Sequence, residues 1–233
     1  MKFTKIGEND PFLHITLNKG EKIYCESNAM VTMDTTLELK SKMQGGIFSA
    51  LARKLANGES FFNQYIEATG GSGDTLLSPE LPGDIQILEV GGNNQYMLND
   101  GAFVASTDGV DLVVKMQGIG NALFGGTGGF LTTRTSGHGT LAVSGFGTLM
   151  ELQVTPENPM IVDNYHVVAW DQSLQYECSL STNKKGLISN MINSVTSGEG
   201  IVTKFRGNGK VIVCSRNRGA FIQWLRAQTA GNG

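Results

Sequence analysis

Short runs of alternating or β-branched apolar residues recur along the chain, among them DIQILEV, DLVVKM, TLAVSG, LMELQV, IVTKF and KVIVCS. Each is bounded by Gly, Asn, Asp or Pro, and a period of two between such boundaries predicts strands of a sandwich or barrel. Two segments break the pattern. In GGIFSALARKLANG, Phe48, Leu51, Ala52 and Leu55 recur at helical spacing, as do Ile188, Met191, Ile192 and Val195 in GLISNMINSVTSG. A short amphipathic helix is expected in each. The segment AFIQWLRAQ fits either a last strand or a short C-terminal helix.

The strand-rich stretches answer one another. Gly58, Gly128 and Gly198 each open a β-rich stretch and stand 70 residues apart. Downstream, Gly137 and Gly139 keep the same distances from Gly128 as Gly207 and Gly209 keep from Gly198, while Gly71 and Gly73 come later by four. Upstream, AMVTMDTTLELKSKM, AFVASTDGVDLVVKM and HVVAWDQSLQYECSL align at offsets of 73 and 64. Self-similarity of this kind predicts a repeated β architecture. The expected organisation is one β body of three similar units, approximately 13–86, 87–148 and 149–227, with short helices inserted in the first and third. Ser-Gly-His-Gly and Arg-Gly-Asn-Gly supply residues that tolerate positive φ, so hairpins are expected there.

Composition supports a folded, soluble chain. It has 233 residues, 40% hydrophobic and 17% charged, with 31 glycines, a surplus that the turns account for. Eighteen Lys and Arg against 21 Asp and Glu leave a net charge of -3, which lacks the basic excess needed to neutralise a phosphate backbone. Tight nucleic-acid binding is therefore not expected. No run approaches the roughly 18 apolar residues of a spanning helix, and the N-terminus has no apolar signal segment. Cys25, Cys178 and Cys214 are odd in number and never in a CxxC pair, which fits a reducing cytoplasm.

GGIFSALARKLANGESFF, LSPELPGDIQILEV, FVAST, GGFLTTRTSGHGTLAVSGFG and GEGIVTKFRGNGKVIVCSRN, in that order, resemble the AIM24 family over nearly the whole chain. The KVIVCSRNRG ending departs from the aromatic-rich ending expected of the family. The resemblance implies a cytoplasmic protein of unassigned activity. It also implies a fold similar to the tryptophan RNA-binding attenuation protein, a repeated β-sandwich like a short double-stranded β-helix. No catalytic, cofactor-binding or metal-ligating residue is carried over with it.

The residues themselves name no chemistry. LFGGTGGF lacks P-loop spacing, Gly209-Lys210 is followed by Val211, and GxGxxG fails after both Gly118 and Gly137. His14, His138 and His166 share no HxH or HxxxH spacing, so no metal site is assigned. Cys214 in KVIVCSR reads as a small buried hydrophobe, with Ile212 on its face and Val211 and Val213 opposite. Asp84 and Glu89 fall on opposite sides of a strand, and Asp84 is expected to satisfy turn amides. Lys204-Phe205-Arg206 reads as a strand with its Phe inward and both cations outward. The expected function is a non-enzymatic interaction or scaffold protein that self-assembles into a homo-oligomer, without cofactor. The alternative is a small-ligand or RNA-binding module, and an enzyme of unrecognised type comes third.

Overall fold

The computed structural model describes residues 1–41, 64–117, 130–180 and 201–229. β1 (Lys2–Ile6) precedes a set of six strands: β2 (Phe12–Leu17), β3 (Lys22–Cys25), β4 (Met30–Met33), β5 (Glu38–Ser41), β6 (Gln64–Glu67) and β7 (Gly73–Leu77). A second six follows: β8 (Gly83–Val90), β9 (Tyr96–Asn99), β10 (Phe103–Thr107), β11 (Val110–Gln117), β12 (Phe130–Gly137) and β13 (Gly139–Phe146). The last six are β14 (Leu149–Val154), β15 (Met160–Asp163), β16 (Val167–Asp171), β17 (Gln175–Leu180), β18 (Ile201–Arg206) and β19 (Gly209–Cys214). A 3₁₀ turn, Asn164–His166, leads into β16, and α1 (Arg218–Thr229) ends the described chain. The protein is mainly β, in antiparallel sheets with no closed barrel among the described residues.

One pairing scheme occurs in all three sets. The first strand pairs with the sixth: β2 with β7, β8 with β13, β14 with β19. The sixth also pairs with the third, β4, β10 or β16. The second pairs with the fifth and the fifth with the fourth, so that β6, β12 and β18 are each flanked on both sides. The third strand carries a register shift at Val31, Val104 and Val168, between Met30 and Thr32, Phe103 and Ala105, and Val167 and Ala169. Such a bulge sharpens the local bend.

Neighbouring sets are joined edge to edge. The second strand of one set pairs with the third strand of the next: β3 with β10 and β9 with β16. The sheets therefore run β1-β2-β7-β4, β5-β6-β3-β10-β13-β8, β11-β12-β9-β16-β19-β14 and β15-β18-β17.

This arrangement corrects the hairpin expectation. β12 and β13 flank Gly137-His138-Gly139, yet β12 pairs with β11 and β9 while β13 pairs with β10 and β8. β18 and β19 diverge in the same way around Gly207-Asn208-Gly209. The glycines do turn the chain, with φ of +81° at Gly137 and +112° at Gly207, but around a corner between sheets. A side-chain oxygen at the end of the third strand, or just beyond it in the first set, accepts from the second residue of the sixth strand in every set. Asp34 Oδ2 accepts from Asp74 N at 2.9 Å, Thr107 Oγ1 from Thr140 N at 3.0 Å, and Asp171 Oδ2 from Lys210 N at 2.8 Å.

Three apolar clusters fill the sheets, and each draws on two sets. Leu13, Ile15, Ile23, Ile66 and Leu77 pack with Val104, Ala105 and Ala142 of the second set. Leu98, Val110, Leu112, Leu141 and Val143 pack with Val168, Ala169, Ile212 and Cys214 of the third. Trp170, Phe205, Val211 and Val154 pack with Met97 of the second. Trp170 meets Tyr176 and Phe205 edge-on at 5.1 and 5.6 Å between ring centroids, a favoured aromatic geometry. AFIQWLRAQ resolves as helix, because Asn217 Oδ1 accepts from Ala220 N at 2.8 Å and caps its first turn. The two inserted helices expected from the sequence, Gly58, Gly128, Gly198 and the LFGGTGG segment lie outside the described residues.

Candidate functional site

A cleft of about 230 Å³ lies among the described residues where β8 and β9 meet β14, β16 and β19. Gln86, Glu89, Tyr96, Glu151, Asp171 and Lys210 bring polar groups to it. Strand alternation explains this: β8 and β14 bury one face in the sheets and turn the next residue outward. Lys210 Nζ lies 2.8 Å from Glu151 Oε1, and Gln86 Nε2 donates to Glu151 Oε2 at 3.3 Å. That ion pair holds the Lys210 ammonium above its ordinary value. Burial, with Asp171 nearby, pushes the Tyr96 phenol up as well. Thr140 Oγ1 donates to Glu89 Oε1 at 3.2 Å, so each of the three carboxylates already has a protein donor.

Three acids against one ammonium make the cleft anionic, suited to a small polar or cationic molecule and ill suited to phosphate. Trp170 also lines it; its side chain is buried, and its indole N–H has no hydrogen-bond partner among the described residues.

The residues singled out in the sequence are dispersed. His14 on β2 has its Nε2 3.2 Å from Asp74 Oδ1 on β7, His138 is exposed at a corner, and His166 Nδ1 contacts the Cys214 carbonyl oxygen at 2.7 Å. No group of three or more metal-ligating side chains occurs among the described residues. Asp84 accepts from Ile85 N at 2.8 Å and pairs with Lys5 Nζ at 3.0 Å, so it serves a strand start and an ion pair, apart from Glu89. Phe205 is buried while Lys204 and Arg206 face outward, as alternation predicts.

All three thiols are unpaired and unactivated. Burial pushes Cys25 up to about 12 and raises Cys178 and Cys214. A protonated thiol is a poor nucleophile. Cys214 shares its cluster with Ile212, and Val211 and Val213 pack in the neighbouring one, the alternation read from KVIVCSR.

One titratable group the sequence did not flag is Glu26, just beyond β3, whose N–H donates to the Val104 carbonyl oxygen at 2.9 Å. Desolvation, reinforced by Glu80 and Asp100 and opposed by Arg218, raises its carboxyl to about 7. These groups come from four separate stretches of chain, so no local motif could have marked the cluster. The sequence also did not show that Val31 on β4, Met150 on β14, Ile161 on β15 and Trp224 on α1 would remain exposed.

A curated protein of Streptococcus pyogenes serotype M6, described as uncharacterized, is 35% identical over 222 residues, covering 93% of this chain and 86% of its own. A crystal structure of another Streptococcus pyogenes protein matches with a TM-score of 0.81 at 31% identity, over 97% of this chain and 99% of that one. The family model described as mitochondrial biogenesis AIM24 matches residues 3–216, and the chain belongs to that family.

Proposed function

We propose that the protein is a non-enzymatic, cytoplasmic interaction or scaffold protein that assembles from copies of itself, each chain built of three similar units. The observation that carries this reading is the exposure of large apolar side chains on sheet edges and on α1, including Val31, Met150, Ile161 and Trp224. Apolar side chains left exposed on strands with an unpaired edge favour association. The repeated pairing scheme supports three units, but with the first boundary before β8 opens at Gly83 and not at the expected 86/87, which falls inside that strand. The cytoplasmic placement is supported by three unpaired cysteines. Among the described residues, no helix is long and apolar enough to cross a membrane.

Light scattering over a hundredfold range of concentration tests the reading. Masses above one chain of 24.9 kDa are expected, and a single-chain mass throughout would overturn it. The anionic cleft favours a second reading, a small-ligand module. A thermal-shift screen against metabolites, polyamines and metal ions tests it, since a ligand specific for the folded state raises the melting temperature.

A further inference from the structure

The pairing scheme makes two strands exceptional. Every second strand joins the third strand of the following set, except β15, which has no following set; every third strand is joined by the second strand of the preceding set, except β4. We infer that β15 of one copy pairs antiparallel with β4 of a second copy, reproducing the junctions β3·β10 and β9·β16. This rests on the self-assembly reading above and assigns its interface.

Three observations carry it. The first is burial at equivalent positions. The bulge valine of the third strand is 0% exposed at Val104 and 3% at Val168, both inside joined sheets, and 51% exposed at Val31. On the complementary edge, Met97 is 5% exposed and its counterpart Ile161 65%. Tyr24, the counterpart at the first junction, is half-buried, so the valine of the third strand gives the cleaner contrast, with one residue type in three places and a neighbour missing in one.

The second is the backbone. β4 pairs on one side only, with β7, and β15 on one side only, with β18. Each offers a row of amides and carbonyls that a neighbouring strand completes.

The third is edge chemistry. The fourth strands, outer in every set, carry charges that discourage pairing, Glu38 and Lys40 on β5, Asp111 on β11 and Glu177 on β17, and so do the outer first strands of the second and third sets, with Asp84 and Glu89 on β8 and Glu151 on β14. β4 reads Met-Val-Thr-Met without a charge, and β15 reads Met-Ile-Val-Asp with one at its end. The register of the internal junctions, in which Ala105 faces Cys25 and Ala169 faces Leu98, places Val162 opposite Thr32 and Ile161 opposite Met33 of the partner copy. The contact joins unlike surfaces, so it propagates into a ring or a fibre.

Val31→Glu and Ile161→Glu test the inference by light scattering, with circular dichroism reporting the fold. Each variant alone is expected at the single-chain mass. An equimolar mixture is expected at about 50 kDa, twice 24.9 kDa, because one chain keeps an intact β15 and the other an intact β4. A single-chain wild type overturns both the assembly reading and this interface. An oligomeric wild type whose mass neither variant changes overturns the interface and leaves the assembly reading standing. Monomeric variants that stay monomeric on mixing overturn the head-to-tail pairing. Thr32→Lys and Ile161→Ser repeat the test should either glutamate variant lose the parent dichroism.

Discussion

The junction between β9 and β16 and the bare edge of β4 present the same position of the same strand scheme in two environments. In the junction, Trp170 faces Met97 and Val168 is buried; on the edge, Met33 occupies the place of Trp170 and Val31 that of Val168. The backbone bulge is present in both. Intrachain pairing with the sixth strand therefore sets the bulge, while burial of its side chain depends on the neighbouring set. Local geometry and packing separate cleanly here, and the difference can be measured.

The largest effect is expected from Trp170→Ala, which removes a buried ring and two edge-on aromatic partners and should cost about 3–5 kcal/mol in urea unfolding. Met33→Ala at the corresponding place should cost about 1 kcal/mol or less. Similar losses at the two positions would erase the contrast between junction and edge.

A finer version uses valine alone. Val104→Ala and Val168→Ala should each cost about 2 kcal/mol, the transfer of two methyl groups plus some cavity, whereas Val31→Ala should stay within about 0.5 kcal/mol at dilution. Because residue type and bulge are the same, the difference reports the neighbouring set alone. Equal costs would mean that the third strand is stabilised within its own set.

The first junction also carries a pH dependence. Burial raises the Glu26 carboxyl from 4.5 to about 7, so folding takes up a proton there. Its stabilising contribution is complete below about pH 4.5 and is lost as pH rises through about 7. Glu26→Gln should therefore stabilise the protein by about 1–2 kcal/mol at pH 8 and leave it nearly unchanged at pH 4.5. A gain of the same size at both pH values would refute the cause.

The smallest effect is expected in the cleft. The Lys210–Glu151 pair is solvent-exposed, so Lys210→Met should change stability by under about 0.5 kcal/mol, less at high salt. A larger loss would show that the cleft holds β14 to β19 and would recast it as structure.

Much of the strand scheme is legible in the sequence, and the reason is position. The offsets of 73 and 64 between AMVTM, AFVAS and HVVAW are those that separate the bulges at Val31, Val104 and Val168. Gly-His-Gly and Gly-Asn-Gly announce a reversal of the chain, because positive φ is a local property. They do not reveal which strand lies alongside, because Thr133 and Val143 carry no mark of belonging to different sheets. AFIQWLRAQ is ambiguous because its apolar spacing suits both periods, and the deciding signal is the capping Asn217 just before it. The cleft was illegible: Gln86, Tyr96, Glu151 and Lys210 gather from four strands, and each looks alone like an outward strand residue.

The corners at Gly137–Gly139 and Gly207–Gly209 have a consequence for synthesis on the ribosome. Since each set splits its strands between two sheets, β3 emerges long before its partner β10, with about 80 residues between them. At roughly 5–20 residues per second, the edge bearing Ile23 and Cys25 waits about 4–16 s for its neighbour. β9 waits a similar time for β16. A nascent chain thus holds an open strand edge through most of its translation, a window in which two chains on one message could pair before either is finished.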